Sequence, residues 1–322
     1  MKHLMGVLTL FVIVALILFM HFRKKIDAHV IKIGIIQTAS HPALDAARKG
    51  FEMRMHEKLG NKILFSIKNA QGSVTNAHTI AQSFKDDTSI TGILAIATPA
   101  AQAIAHIEKE KPIFITAITD PQSLDLIHPT TNVCGSSDMI NIDHTITLLQ
   151  QLVPTAQTVA LIFSISEKSA TTMAKQISTK LKAKGINTLE IGITSEADVP
   201  AAVQKACRSA DAILTPIDNI IASTITFIAQ QAKIAKKPLI VSDNLLVEQG
   251  ALAAVGVDYT QAGQQAANCA IDVLINNRAP ASLPILKQEE GNIFINKPLL
   301  NELHLKIPAS LKGNIKFVKG KK

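Results

Sequence analysis

Carboxylates close a series of short apolar runs in this chain, and that placement is where binding chemistry would start. Asp218, Asp243 and Asp258 each end such a run in the second half, and Asp120 ends one in the first. A carboxylate so placed can pair with a ligand ammonium. Asp218 is followed by Asn219, whose amide adds donors and an acceptor. Asp243 and Asp258 serve equally well as helix caps, a competing use of the same side chain. A ligand carboxylate has its own candidates. Helix N-termini gather unpaired N–H groups and the positive dipole end. Thr98-Pro99-Ala100-Ala101 reads as such a start, with a capping threonine, a first-turn proline and small alanines that permit close approach. Thr119-Asp120-Pro121 repeats the pattern, and plain capping is the competing use of both. Gln37 and His41 follow the first apolar run, as ligand contacts or, for His41 before Pro42, as a loop or capping residue. Asp45 with Arg48 or Lys49 has the spacing of a surface pair on a helix. Phe163 and Tyr259 also end runs. Either offers a ring to an apolar ligand, or else Phe163 packs in a core and Tyr259 at a hinge. Burying an indole or phenol ring would contribute roughly 5 kcal/mol.

The runs that position these residues are four to seven apolar residues long and do not alternate. That suits strands buried on both faces of a parallel sheet, whose carboxyl ends are where ligands bind in open α/β folds. The spacing predicts strands over 31–37, 63–68, 92–97, 112–118 and 132–136. A second series follows over 158–163, 187–193, 211–217, 238–242 and 251–257, with a closing strand over 291–297. Helical patterns fall between them. In ALDAARKGFEMRMHEKL, the residues Leu44, Ala47, Phe51, Met55 and Leu59 share one face. Gly185 is placed to stop the helix that begins near Ser169. Two similar series predict two Rossmann-like lobes with parallel sheets.

Composition narrows the function classes. The net charge of +8 is carried by the tails. Between 26 and 311, 24 basic residues face 25 acidic ones, so a nucleic-acid partner has no electrostatic footprint. The basic end, 313–322, reads as a solvated tail. Cys134, Cys207 and Cys269 read as small buried hydrophobes, not as a disulfide framework or a metal set. The ten histidines fall in no metal-ligand spacing. No glycine-rich dinucleotide loop, Walker lysine or nucleophile elbow is present, which argues against an enzyme and against a cofactor. Residues 4–20 are apolar apart from Thr9 and are followed by Arg23-Lys24-Lys25. At about 1.5 Å per residue they reach roughly 26 Å, a short membrane span. No small-residue cleavage pattern follows, so an uncleaved anchor is favoured over a signal peptide. The basic cluster weighs against that topology under the positive-inside bias.

The segments HPALDAARKGF, NAQGS, AIATPAAQA, PIFITAITDP, PIDN, SDN and GALAAVGVDY occur in this order. In that order they resemble the substrate-binding proteins of ABC importers, and among them the tryptophan/tyrosine-type subgroup. The resemblance covers about 30–310. It implies the type 1 periplasmic binding protein fold, two lobes joined by three crossovers, here near 138–143, 256–260 and 286–291. It implies 26–140 plus 259–288 as one lobe and 141–258 plus 289–312 as the other, after a 1–25 segment. It also implies an extracytoplasmic, monomeric binding protein that delivers an amino acid, aromatic by subgroup, to a permease and its ATPase. A sensing lobe that signals through a partner protein is the alternative. The family's loop after the first strand of the second lobe reads here Ser164-Ile165-Ser166-Glu167-Lys168-Ser169-Ala170 and keeps only its glutamate. The cysteine that carries a lipid anchor in the family is missing. On this reading, Asp218→Ala weakens binding while leaving ligand-free stability nearly unchanged.

Overall fold

The computed structural model describes residues 30–122, 126–287, 293–308, 311 and 315–319. The apolar 4–20 segment lies outside the described residues. Among those described, no helix is long and apolar enough to cross a membrane.

The chain opens with β1 (Ile31–Gln37), α1 (Pro42–Leu59), β2 (Ile63–Asn69), α2 (Val74–Asp86), β3 (Gly92–Ile96), α3 (Thr98–Ile107), β4 (Ile113–Ile118) and β5 (Val133–Ser137). A second series comprises α4 (Ile142–Leu152), β6 (Thr158–Ser164), α5 (Lys168–Ala183), β7 (Asn187–Ile193), α6 (Val199–Ser209), β8 (Ala212–Leu214), α7 (Asn219–Ile234), β9 (Leu239–Val241), α8 (Asn244–Glu248) and β10 (Ala253–Val255). The chain finishes with α9 (Tyr259–Leu274), β11 (Leu286–Lys287), β12 (Ile293–Asn296), α10 (Lys297–Glu302) and β13 (Ile315–Val318).

The strands form two sheets. The first runs β11-β5-β4-β3-β1-β2, with parallel pairs throughout. The second runs β13-β12-β10-β9-β8-β6-β7, parallel except where β12 meets β10. The unbroken apolar runs have a physical cause in this layering. β3 and β4 are buried at every residue because helices cover both faces of their sheet. Each lobe has two cores, one per face of its sheet. The chain passes between sheets after β5, after β10 and after β11.

Two expectations are corrected. The basic tail is not wholly solvated, because Ile315–Val318 pairs with β12 as the edge strand of the second sheet. Ile315 and Val318 are half-buried against the cores on opposite faces of the sheet, while Lys316 and Phe317 stay exposed. The expected strands over 211–217 and 251–257 shorten to three residues each. The chain leaves the sheet there to form the loops that carry Asp218 and Asp258.

The helix that returns from the second sheet, α9, lies against α1 in the first lobe. The contact is close because glycines face it from both sides. A Cβ on Gly263 would stand 1.9 Å from the Ala47 carbonyl oxygen, and one on Gly50 would stand 2.2 Å from that of Thr260. This contact anchors the second crossover, and with it Tyr259 at the first turn of α9.

Candidate functional site

Both sheets point the carboxyl ends of their strands at one cleft. In each sheet the strand order reverses beside its first strand, between β1 and β3 and between β6 and β8. Loops diverge at such a point and open a crevice. His41 follows β1 and Ala97 follows β3. Glu167 follows β6, and Asp218 with Asn219 follows β8. These residues line the cleft together with Thr119, Asp138, Asp243 and Tyr259.

One hydrogen bond spans the lobes directly: His41 Nε2 lies 3.1 Å from Asn219 Oδ1. The direction of this bond is determined by the rest of the network. Asn219 Nδ2 donates to both Glu167 oxygens at 2.9 Å, so its carbonyl oxygen faces His41 and accepts. Nε2 therefore carries the proton. Burial lowers the His41 pKa, and the bonds to Asn219 and the charge of Asp45 only partly restore it. The ring is neutral, and Nδ1 is buried without a hydrogen-bond partner among the described residues.

Four carboxyls surround this bridge, and no Lys or Arg is among the described residues lining the cleft. Burial pushes Glu167 up to about 7, and the neighbouring Asp218 charge adds to it. Asp243 is pushed up to about 7 by burial, with Asp138 and Glu248 adding negative charge nearby. Asp138 is pushed up to about 6 by burial, while the Tyr259 and Thr119 hydroxyls pull it back. Burial raises Asp218 too, against three backbone N–H bonds from Ser164, Ile220 and Ile221. Tyr259 Oη donates to Asp138 Oδ2 at 3.0 Å, and Asp138 Oδ1 is buried with no partner among the described residues. A buried acidic cleft with an unpartnered carboxylate oxygen is chemistry suited to a positively charged group.

The backbone at the cleft is also unusual. Ala97 and Ala117 hold φ values of 72° and 56°, the left-handed region that L side chains avoid. Ala97 follows β3, Ala117 is the penultimate residue of β4, and both line the cleft. Strain of this kind concentrates where a structure holds a binding geometry.

Of the residues singled out in the sequence, His41, Thr119, Asp218, Asn219, Asp243 and Tyr259 meet in the cleft, and Asp120 lines an adjoining hollow. The others lie elsewhere, for specific reasons. Gln37 is buried beneath the loop, donating to the Ala39 carbonyl and Asp45 and accepting from Arg48. Arg48 in turn pairs with Glu52 at 2.8 Å rather than with Asp45. Thr98 is the first helical residue, not the cap, a position that falls to Ala97. The Ala100 N–H donates to Thr38 Oγ1 and that of Ala101 to the Ala97 carbonyl, so this helix start has spent both groups. Phe163 packs in the core of the second lobe. Asp258 is exposed and caps α9 through Gln261. Asp218 and Asp243 also cap their helices while facing the cleft. Glu167 and Asp138 escaped the sequence reading. Glu167 had a signal, since it is the residue retained in an otherwise altered loop. Asp138, inside SSDM, had none.

A sequence profile described as "ABC transporter substrate binding protein" matches residues 32–316. The chain belongs to that family. It is a ligand-binding protein and not an enzyme. Its fold is that of the type 1 periplasmic binding proteins. A relative named tyrosine-binding protein from Clostridioides difficile (strain R20291) is 34% identical over 305 residues, spanning 92% of this chain and 87% of that one. The crystal structure of an ABC domain in complex with L-Trp from Streptococcus pneumonia matches with a TM-score of 0.85 at 29% identity, covering 89% of this chain and 99% of that one. The ligand-free, open structure of a substrate-binding protein with adhesive properties from Clostridium difficile matches at 0.68 with 32% identity, covering 91% and 100%. The cleft is narrow. Between the carboxyls it has about 20 Å³ of space, room for roughly one water.

Proposed function

We propose that this substrate-binding protein captures an aromatic amino acid between its lobes and delivers it to the permease of an ABC importer. The observation that carries this reading is the cluster of Glu167, Asp218, Asp138 and Asp243, buried at the junction of the lobes with no lysine or arginine among the described residues that line the cleft with it. An α-ammonium entering the cleft supplies the missing positive charge. Asp138 Oδ1, unpartnered and buried, is the natural first acceptor, with Glu167 facing it from the other lobe. Asp218, with three backbone N–H groups on its oxygens, contributes charge more than a hydrogen bond. The Thr119 hydroxyl, which bonds to Asp138, sits where the cleft meets the adjoining hollow. The names of the relatives, one tyrosine-binding and one in complex with L-Trp, support the aromatic class. Closure around the ligand would shift an open–closed equilibrium, and the closed face would dock on the permease outside the cytoplasm. In this reading the apolar 4–20 segment keeps the protein at the membrane.

A binding screen of the twenty amino acids on the purified protein tests the function. The chain has no tryptophan, so the fluorescence of a Trp ligand reports its own binding without protein background. A dissociation constant of about 1 μM or tighter, near −8 kcal/mol, is expected for Trp, Tyr or Phe. Binding of a different solute class, with no calorimetric heat from any amino acid, would overturn the assignment.

A further inference from the structure

The cleft between the carboxyls has no room for a ring, and the two aromatic residues singled out in the sequence do not offer one a stacking face. Phe163 is inside a core, and Tyr259 is held by Asp138. A second space adjoins the first. It is a hollow of about 250 Å³ between the first crossover and α5, and Thr119 lines both it and the acidic cleft. An apolar cavity of roughly 150 Å³ suffices to hold benzene, so 250 Å³ accommodates a phenol or an indole. Its apolar walls are Met139, Ile140 and Ile142 from the crossover and Met173 from α5, and charged residues line it too: Asp120, Lys168 and the Lys180–Asp143 ion pair. Met139 is 37% exposed, an unusual position for a large apolar residue on a hinge segment.

We infer that this hollow is the side-chain slot of the site, and that Met139 and Met173 select ligands with an aromatic ring. The inference rests on the amino-acid reading above and extends it to specificity. The geometry divides the ligand in two. The ammonium is held at Asp138 and Glu167, and the side chain passes Thr119 into the hollow. Asp138 and Met139 are adjacent in sequence, so one segment holds both ends at a spacing of a single residue. Methionine's flexible chain adapts to either ring. The sulfurs already accept, Met173 Sδ from the Ile217 N–H at 3.5 Å and Met139 Sδ from Lys287 Nζ at 3.9 Å, so it is the methylene and methyl groups that face a ring. Alanine or serine would leave the hollow unfilled and forgo that burial. Because the crossover forms one wall and α5 of the second lobe the other, a ring seated there also bears on the segment that must bend during closure.

Thr172 is half-buried on the α5 wall and belongs to no core cluster, so Thr172→Trp can fill the hollow from a tolerant position. The expected result is a loss of at least thirtyfold in affinity for Trp, Tyr and Phe with an unchanged melting temperature. Methionine methyl NMR gives a second measurement on the unaltered protein. With only seven methionines in the chain, the Met139 and Met173 signals are assignable, and both should shift upfield when L-Trp is added. If an aromatic amino acid binds the wild type, yet Thr172→Trp leaves its affinity within threefold and neither methyl moves, the slot is overturned while the amino-acid reading stands. If no amino acid binds the wild type, both fail together.

Discussion

Glu167 and Asp218 share a pocket of low polarity, and each makes the other harder to ionise. The folded pKa of Glu167, about 7, lies above the roughly 4.3 of an unfolded glutamate. Between those values the native state keeps a proton that the unfolded state releases. This carboxyl therefore lowers stability as pH rises from about 4 to 7, and its contribution is most favourable below that window. Glu167→Gln removes the effect. Relative to wild type, the ligand-free variant should melt at a higher temperature at pH 8 than its offset at pH 5 would suggest, and calorimetry at the two pH values measures the difference. An offset independent of pH would mean that Glu167 is ionised throughout. Asp218 behaves differently from its sequence reading. Its oxygens accept from Ser164, Ile220 and Ile221, so removing them uncaps α7 and orphans a buried N–H of β6. Asp218→Ala should lose about 2–4 kcal/mol of ligand-free stability, and Asp218→Asn much less. Denaturant unfolding decides this, and an unchanged midpoint for the alanine variant would restore the original expectation.

At the scale of elements, the α1–α9 contact has the least tolerance. Gly263 and Gly50 allow backbone to approach backbone, and neither neighbour is a flexible side chain that could yield. Gly263→Ala should destabilise the protein by about 1–3 kcal/mol or more, since the helices must separate to admit one methyl group. The consequence extends to the site. α9 begins at Tyr259, whose hydroxyl holds Asp138 on the other crossover, so displacing α9 moves an acceptor in the cleft. Ligand affinity should fall along with stability in this variant, a coupling that parallel melting and titration would reveal. Gly185, by contrast, has open space about its Cβ position and matters only for its φ of 78° at the end of α5.

Besides the crossovers, the described contacts that join the two lobes include Leu245 of α8, which packs against a core of the first lobe, and one hydrogen bond at the cleft. The His41–Asn219 bond joins the two sides of the cleft, and a single neutral hydrogen bond is worth about 0.5–1.5 kcal/mol net. His41→Ala should therefore shift the open–closed ratio by about two- to tenfold toward open. Small-angle scattering would record this as a larger radius of gyration without ligand, and saturating ligand should return it to the wild-type value. A variant indistinguishable from wild type would place the closing energy in the crossovers and the Leu245 contact instead.

Much of this architecture was present in one-dimensional form. Unbroken apolar runs with helical patterns between them determined strands, helices and a doubly covered parallel sheet, because burial on both faces leaves no polar alternation to confuse the reading. The carboxylates at run ends were legible for the same reason, since strand ends are where polar residues can reappear. The sequence could not separate a carboxylate that caps a helix from one that faces a ligand. Asp218 and Asp243 do both, and Asp258 only the first. Nor could it show that the Ala100 and Ala101 N–H groups are already spent, or that Phe163 turns inward. Those outcomes depend on which neighbours arrive from distant segments. His41 meets Asn219 across 178 residues, and Tyr259 meets Asp138 across 121. Pairings at such separations are set by how two lobes close on each other, and local pattern carries no record of that.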